Sequence, residues 1–127
     1  MRVKLLSITV QDQDRALQFY TDKLGFVKKT EIPMGEHRWL TVVSPTEQDG
    51  PEVVLEPLAF EPAKVYQAAL YQAGIPVAAF QVDDIEAEHR RLADAGVNFT
   101  MAPTAMGGAT IAVFDDTCGN RIQIFQV

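Results

Sequence analysis

The side chains able to carry proton transfer or nucleophilic chemistry are few, and their neighbours say what each could do. His37 opens GEHRWLTVV, and the period of two places it on one strand face with Trp39, Thr41 and Val43. If that face borders a cavity, Trp39 offers a platform for a planar ligand and His37 an acid or base near neutral pH. The plainer alternative, which we favour, is a solvated strand-end histidine beside Glu36 with Trp39 in the core, where aromatic side chains usually sit. Glu56 ends an apolar strand just before Pro57. It either meets solvent there or projects into a cavity. Buried, it would have a raised pKa or need a cation such as Arg38 or Arg121. His89, in EAEHRR, falls on the charged face of a helix and reads as surface.

Cys118 is the single cysteine, so an internal disulfide and a cysteine-based zinc site are both ruled out. It sits in FDDTCGN (114–120), beside two carboxylates that would raise a thiol pKa and so argue against a nucleophile. No Gly-rich phosphate loop, serine nucleophile elbow or HExxH pair is present. Gly107-Gly108 is a lone pair that reads equally as a simple turn or as a loop bordering a ligand.

The elements that must position these residues follow an internal repeat. ITVQDQD (8–14) and FQVDDIE (80–86) both read as a strand end followed by a helix start, and an offset of 72 pairs Val10 with Val82 and Asp12 with Asp84. The spacing predicts helices from about Gln13 to Lys23 and from about Ile85 to Ala95, closed by Gly25 and Gly96 as left-handed terminators. Asp12 and Asp84 are expected to be N-caps. Tyr20 falls in the apolar stripe of the first helix and is expected in the core. Three strands follow each helix: Phe26–Ile32, Arg38–Val43 and Glu52–Glu56, then Asn98–Met101, Ala109–Phe114 and Arg121–Gln126, with Gly/Pro-rich turns between them. Between the halves, AKVYQAALYQAG (63–74) has helical spacing and reads as a linking helix.

The expected organisation is one domain: module one at about 1–57, the linker at about 58–76 and module two at about 77–127. Neither β-α-β-β-β module can bury a whole core alone. The predicted fold class is α+β, with two tandem modules forming a cupped, eight-stranded mixed sheet and helices outside.

Composition narrows the function further. The net charge of −6 does not suit nucleic acid or anionic lipid, and no Lys/Arg cluster offsets it. A neutral or cationic small ligand is tolerated. No apolar run approaches the roughly 20 residues that span a bilayer. MRVKLLSITVQDQD lacks the apolar stretch and cleavage site of a secretory signal, so a cytoplasmic location is expected.

The run TVQDQDRALQFYTDKLGF (9–26) and the closing FDDTCGNRIQIFQV (114–127) resemble the vicinal-oxygen-chelate superfamily of glyoxalases, bleomycin-resistance proteins and extradiol dioxygenases. The resemblance covers essentially the whole chain and implies a cupped sheet around a small-molecule cavity, and a homodimer. Metal-dependent members carry a histidine five residues before the valines matched by Val10 and Val82. Those positions here are Leu5 and Val77, which cannot ligate. The family's last-strand glutamate falls at Gln123, and its first-half equivalent is open between Val54 and Glu56, which share a strand face. A catalytic divalent site usually needs three protein donors, so no cofactor is predicted, with a divalent metal left open.

Three readings follow. The first is a metal-free binding protein like the bleomycin-resistance proteins, with Trp39, Gln123, Leu5, Val77 and Val54 lining its cavity. The second is a lyase, isomerase or dioxygenase of the same superfamily, metal-dependent or metal-free, with Glu56 or His37 as the catalytic group. The third is a structural dimer whose cup is a remnant.

Overall fold

The computed structural model describes all 127 residues, as two compact units, Met1–Tyr66 and Gln67–Val127. The first contains β1 (Leu5–Val10), α1 (Gln13–Gln18) running into a π-helical segment (Phe19–Lys23), β2 (Val27–Met34), β3 (His37–Val43) and β4 (Glu52–Pro57). α2 (Glu61–Ala73) crosses the unit boundary. The second unit continues with β5 (Ala78–Gln81), α3 (Ile85–Asp94), β6 (Phe99–Met106), β7 (Ala109–Asp115) and β8 (Arg121–Gln126). The fold is α+β with all eight expected strands, in two four-stranded mixed sheets of order β1-β4-β3-β2 and β5-β8-β7-β6. In each sheet the first strand runs parallel to the last and the remaining pairs are antiparallel.

Local chemistry accounts for the helix ends. Asp12 accepts from Arg15 N–H and Asp84 from Ala87 N–H, both at 3.0 Å, so each aspartate caps its helix as expected. Gly25 and Gly96 close the helices with φ of 87° and 90°, a conformation that disfavours any side chain. The first helix is less regular than its periodicity predicts. From Phe19 onward Leu24 N–H reaches back to Phe19 O at 3.2 Å, and the wider turn buries the adjacent aromatics Phe19 and Tyr20 together.

Two strands outrun their expected ends. β2 passes through Pro33 and β6 through Pro103, where the sequence suggests turns. Both are edge strands, and β6 carries a bulge near its proline, so the missing N–H costs no interior ladder bond.

The core of the first unit lies between α1 and one sheet face, with Ile8, Val10, Leu40 and Leu55 against Ala16, Phe19 and Tyr20. That of the second joins Ile85 and Leu92 of α3 to Phe114, Ile122 and Ile124, extended by an edge-to-face chain from His89 through Phe99 to Phe114. His89 is therefore half-buried against Phe99, not a purely solvated residue. No helix is long and apolar enough to cross a membrane.

Candidate functional site

Strand alternation assigns each candidate residue to a face. In the first sheet, Thr41 lies opposite Val54 and Ile32 opposite Trp39, so Trp39, Thr41, Val54 and Glu56 share the face away from α1. Leu5 and Thr9 of β1 are on that face too, opposite Glu52 and Glu56. Val54 is buried, Trp39 half-buried, and Leu5 and Glu56 exposed. Trp39 is thus neither sealed in the core nor fully solvated, and it sits beside the strand end that carries Glu56. Glu56 forms no ion pair. Arg38, one of the two cations considered for it, points to the opposite face and binds Asp14 at 2.6 Å and Glu31 at 2.7 Å. Burial works to lower the Arg38 pKa, and the two carboxylates outweigh it and raise it. Lys28, with help from Arg38, holds the Glu31 carboxyl below its ordinary range.

His37 is exposed at the β2–β3 turn, opposite Met34. It lies on the rim of a cleft of about 450 Å³ beside the start of α1, lined also by Asp12, Asp14, Glu36, Arg38 and Leu58. With Arg38 already paired, the charge left in that lining is acidic.

The register also fixes the correspondence between the halves. Ser7 lies opposite Val54, and Ala79 opposite Gln123. Ser7 and Ala79 are themselves 72 apart, the repeat offset. Val54, not Glu56, is therefore the counterpart of Gln123, and Glu56 corresponds to Phe125. By the same shift Glu52 corresponds to Arg121. Glu52 accepts from Thr41 Oγ1 at 2.8 Å.

In the second sheet Gln123 is half-buried on the face away from α3, flanked by Ala79 and Val113, with Val77, Phe125 and Arg121 on the same face. No three His, Cys, Asp or Glu side chains gather closely enough to hold a metal ion. At one end of this face α2 docks through polar contacts. Tyr71 donates its hydroxyl to Asp115, and the Arg121 guanidinium lies over the Tyr71 ring at 4.0 Å from its centroid. The bond to Asp115, then burial, raises the Tyr71 pKa, while Arg121 acts to lower it.

Nearby, Gln67 donates to Asn120 Oδ1 at 3.2 Å. Buried Asp116 accepts from the N–H groups of Cys118 and Asn120 at 2.7 and 3.0 Å and from Asn120 Nδ2 at 2.8 Å. Cys118 is fully buried inside this turn, a structural setting. Sequence reasoning missed the Tyr71–Arg121 pair because nothing in the local pattern of α2 marks Tyr71 as different from the exposed Tyr66.

Comparison with known proteins places this geometry. Residues 2–124 match the family model described as the Glyoxalase/Bleomycin resistance protein/Dioxygenase superfamily. The chain is similar to YurT of Bacillus subtilis (strain 168), 56% identical over 126 residues and covering 99% of both proteins. Among solved structures it is similar to UcmS2, at 34% identity and a TM-score of 0.84, over 98% of this chain and 97% of that one. It is also similar to TnmS3, described as an antibiotic binding protein from Streptomyces sp. CB03234, at 27% identity and a TM-score of 0.79, over 99% of this chain and 95% of that one. With a repeat, a strand order and a family match that each run nearly end to end, the chain belongs to the glyoxalase/bleomycin resistance protein/dioxygenase superfamily.

Proposed function

We propose that this protein binds a small organic molecule on a sheet face turned away from its helix, and does so without a catalytic divalent metal. The observation that carries the reading is the residue set at the four family ligand positions: Leu5, Val54, Val77 and Gln123. These supply one amide oxygen and three aliphatic side chains, whereas a catalytic divalent site needs about three donors. The residues present do not fit a divalent ion, and no reaction step is derived through one. The description of TnmS3 as antibiotic-binding supports a sequestering role. So does half-buried Trp39, which offers an aromatic surface beside apolar Ile32.

The test is calorimetric titration of protein purified without chelator against neutral, cationic and anionic aromatic compounds, bleomycin among them, with elemental analysis of the same preparation. Saturable binding with well under one equivalent of zinc, nickel, manganese or iron is the expected result. Stoichiometric metal, or no saturable binding across the panel, overturns the reading.

A second reading, a metal-free lyase or isomerase, draws on one observation: exposed Glu56 shares its face with Trp39. It requires that any turnover found in a substrate screen be abolished in Glu56→Gln.

A further inference from the structure

Arg121 differs from the paired arginines of the chain. Arg15, Arg38 and Arg91 each form ion pairs, with Asp12, with Asp14 and Glu31, and with Glu88. Arg121 forms none. Its Nε is buried with no hydrogen-bond partner, and its one close interaction is the stack on Tyr71. The neighbouring carboxylate does not answer it. Asp115 sits directly opposite on β7, yet its oxygens accept from Tyr71 Oη and from Thr117 N–H. The other nearby acid, Asp116, is committed to Cys118 and Asn120.

A half-buried guanidinium with an unmet donor is costly to keep unless something else supplies the acceptor. Stacking on an aromatic ring fixes its plane, and with Nε sealed from water its two partnerless Nη groups are the donors that reach solvent, in the parallel geometry that matches a carboxylate. Along the same sheet face lie Gln123, Val113, Ala79 and Phe125, an amide and an apolar surface able to hold the body of a planar molecule.

We propose that Arg121, held flat by Tyr71, is the anchor for the carboxylate of an aromatic carboxylic acid bound on the β8 face. This rests on the small-molecule reading above and names the ligand chemistry. It departs from the neutral or cationic ligand that the net charge suggests, because directed N–H donors that no protein acceptor meets, rather than the charge summed over the chain, set what binds beside Arg121.

The test is calorimetric titration with 2-naphthoate and with 2-naphthamide, which share a ring system and differ in charge. The acid is expected to bind about tenfold more tightly than the amide, with the preference lost in Arg121→Gln and only partly kept in Arg121→Lys, whose ammonium lacks the fork. A readout independent of any variant is modification of wild-type Arg121 by phenylglyoxal, mapped by mass spectrometry. Protection by naphthoate and not by naphthamide is expected. Equal affinity for acid and amide, or an acid preference that survives Arg121→Gln, overturns the proposal. Failure of both naphthyl probes alongside binding of other aromatics in the panel overturns this assignment and leaves the broader function standing. Failure of every compound overturns both.

Discussion

Gln13 donates through Nε2 to the carbonyls of Arg38 and Leu55, both at 2.8 Å, and accepts from Arg38 N–H at 3.1 Å. One buried amide at the start of α1 thereby satisfies backbone groups on β3 and β4 that would otherwise be sealed from water. The second unit solves the same joint differently, with Gln126 of β8 accepting from Ile85 N–H at the start of α3 at 2.8 Å. Leaving several buried groups unpaired costs far more than the lost bonds are worth in water. Gln13→Leu is therefore expected to destabilise the fold by about 2–3 kcal/mol in urea unfolding. Asp116 presents a like case with a charge. Its carboxylate accepts three hydrogen bonds, and Asp116→Ala is expected to cost about 3 kcal/mol by the same measurement, with Cys118 becoming reactive to thiol reagents as the turn loosens. A loss under about 0.5 kcal/mol in either variant would show the network to be dispensable. Neither role was legible in the sequence. A glutamine one residue past an N-cap and an aspartate in an acidic turn both read as solvated until the strands that enclose them are placed.

At the scale of elements, the sequence was legible where local chemistry decides. The caps Asp12 and Asp84, the terminators Gly25 and Gly96, and the bounds Arg121–Gln126 all follow from residue types and spacing. It was less legible where tertiary position decides, as with Pro33 and Pro103, whose tolerance depends on their strands being edges. Likewise Val54 and Glu56 share a face, so alternation could not choose between them, and only pairing against β1 does. The docking of α2 on its own sheet belongs here too. Tyr71 holds its proton more tightly in the folded state, so its contribution to stability is fully present below the ordinary tyrosine pKa of about 10. It is lost as pH rises through the higher folded value, because the phenolate cannot donate to Asp115. Alkaline titration followed by ultraviolet absorbance is expected to show a late-ionising tyrosine that Tyr71→Phe removes. Thermal stability of the wild type should fall more steeply above pH 10 than that of Tyr71→Phe. Identical titration curves for the two proteins would deny the bond its role.

For the whole molecule, the outstanding question is what covers the apolar side chains left in water. Phe60, Val65 and Tyr66, at the first half of α2 and just before it, are 71%, 72% and 67% exposed. α2 turns Ala63, Gln67, Leu70 and Tyr71 inward yet leaves Val65 and Tyr66 in solvent, which with Phe60 makes an exposed apolar patch. We propose a second copy of the chain as the occupant, since the family resemblance implies a homodimer. Light scattering after gel filtration is therefore expected to give about 28 kDa, twice the 14.0 kDa chain. Val65→Glu places a charge in the middle of the patch, where desolvating it would cost several kcal/mol, and should shift the species to monomer at micromolar concentration. Because Val65 is exposed in the single chain, the variant should keep the wild-type far-ultraviolet circular dichroism. A wild-type mass of one chain, or an unchanged dimer in Val65→Glu, would place the contact elsewhere or remove it. Ligand affinity measured on that monomer then separates two designs: binding retained means each chain carries a complete site, and binding lost together with the dimer means the site is completed by the partner.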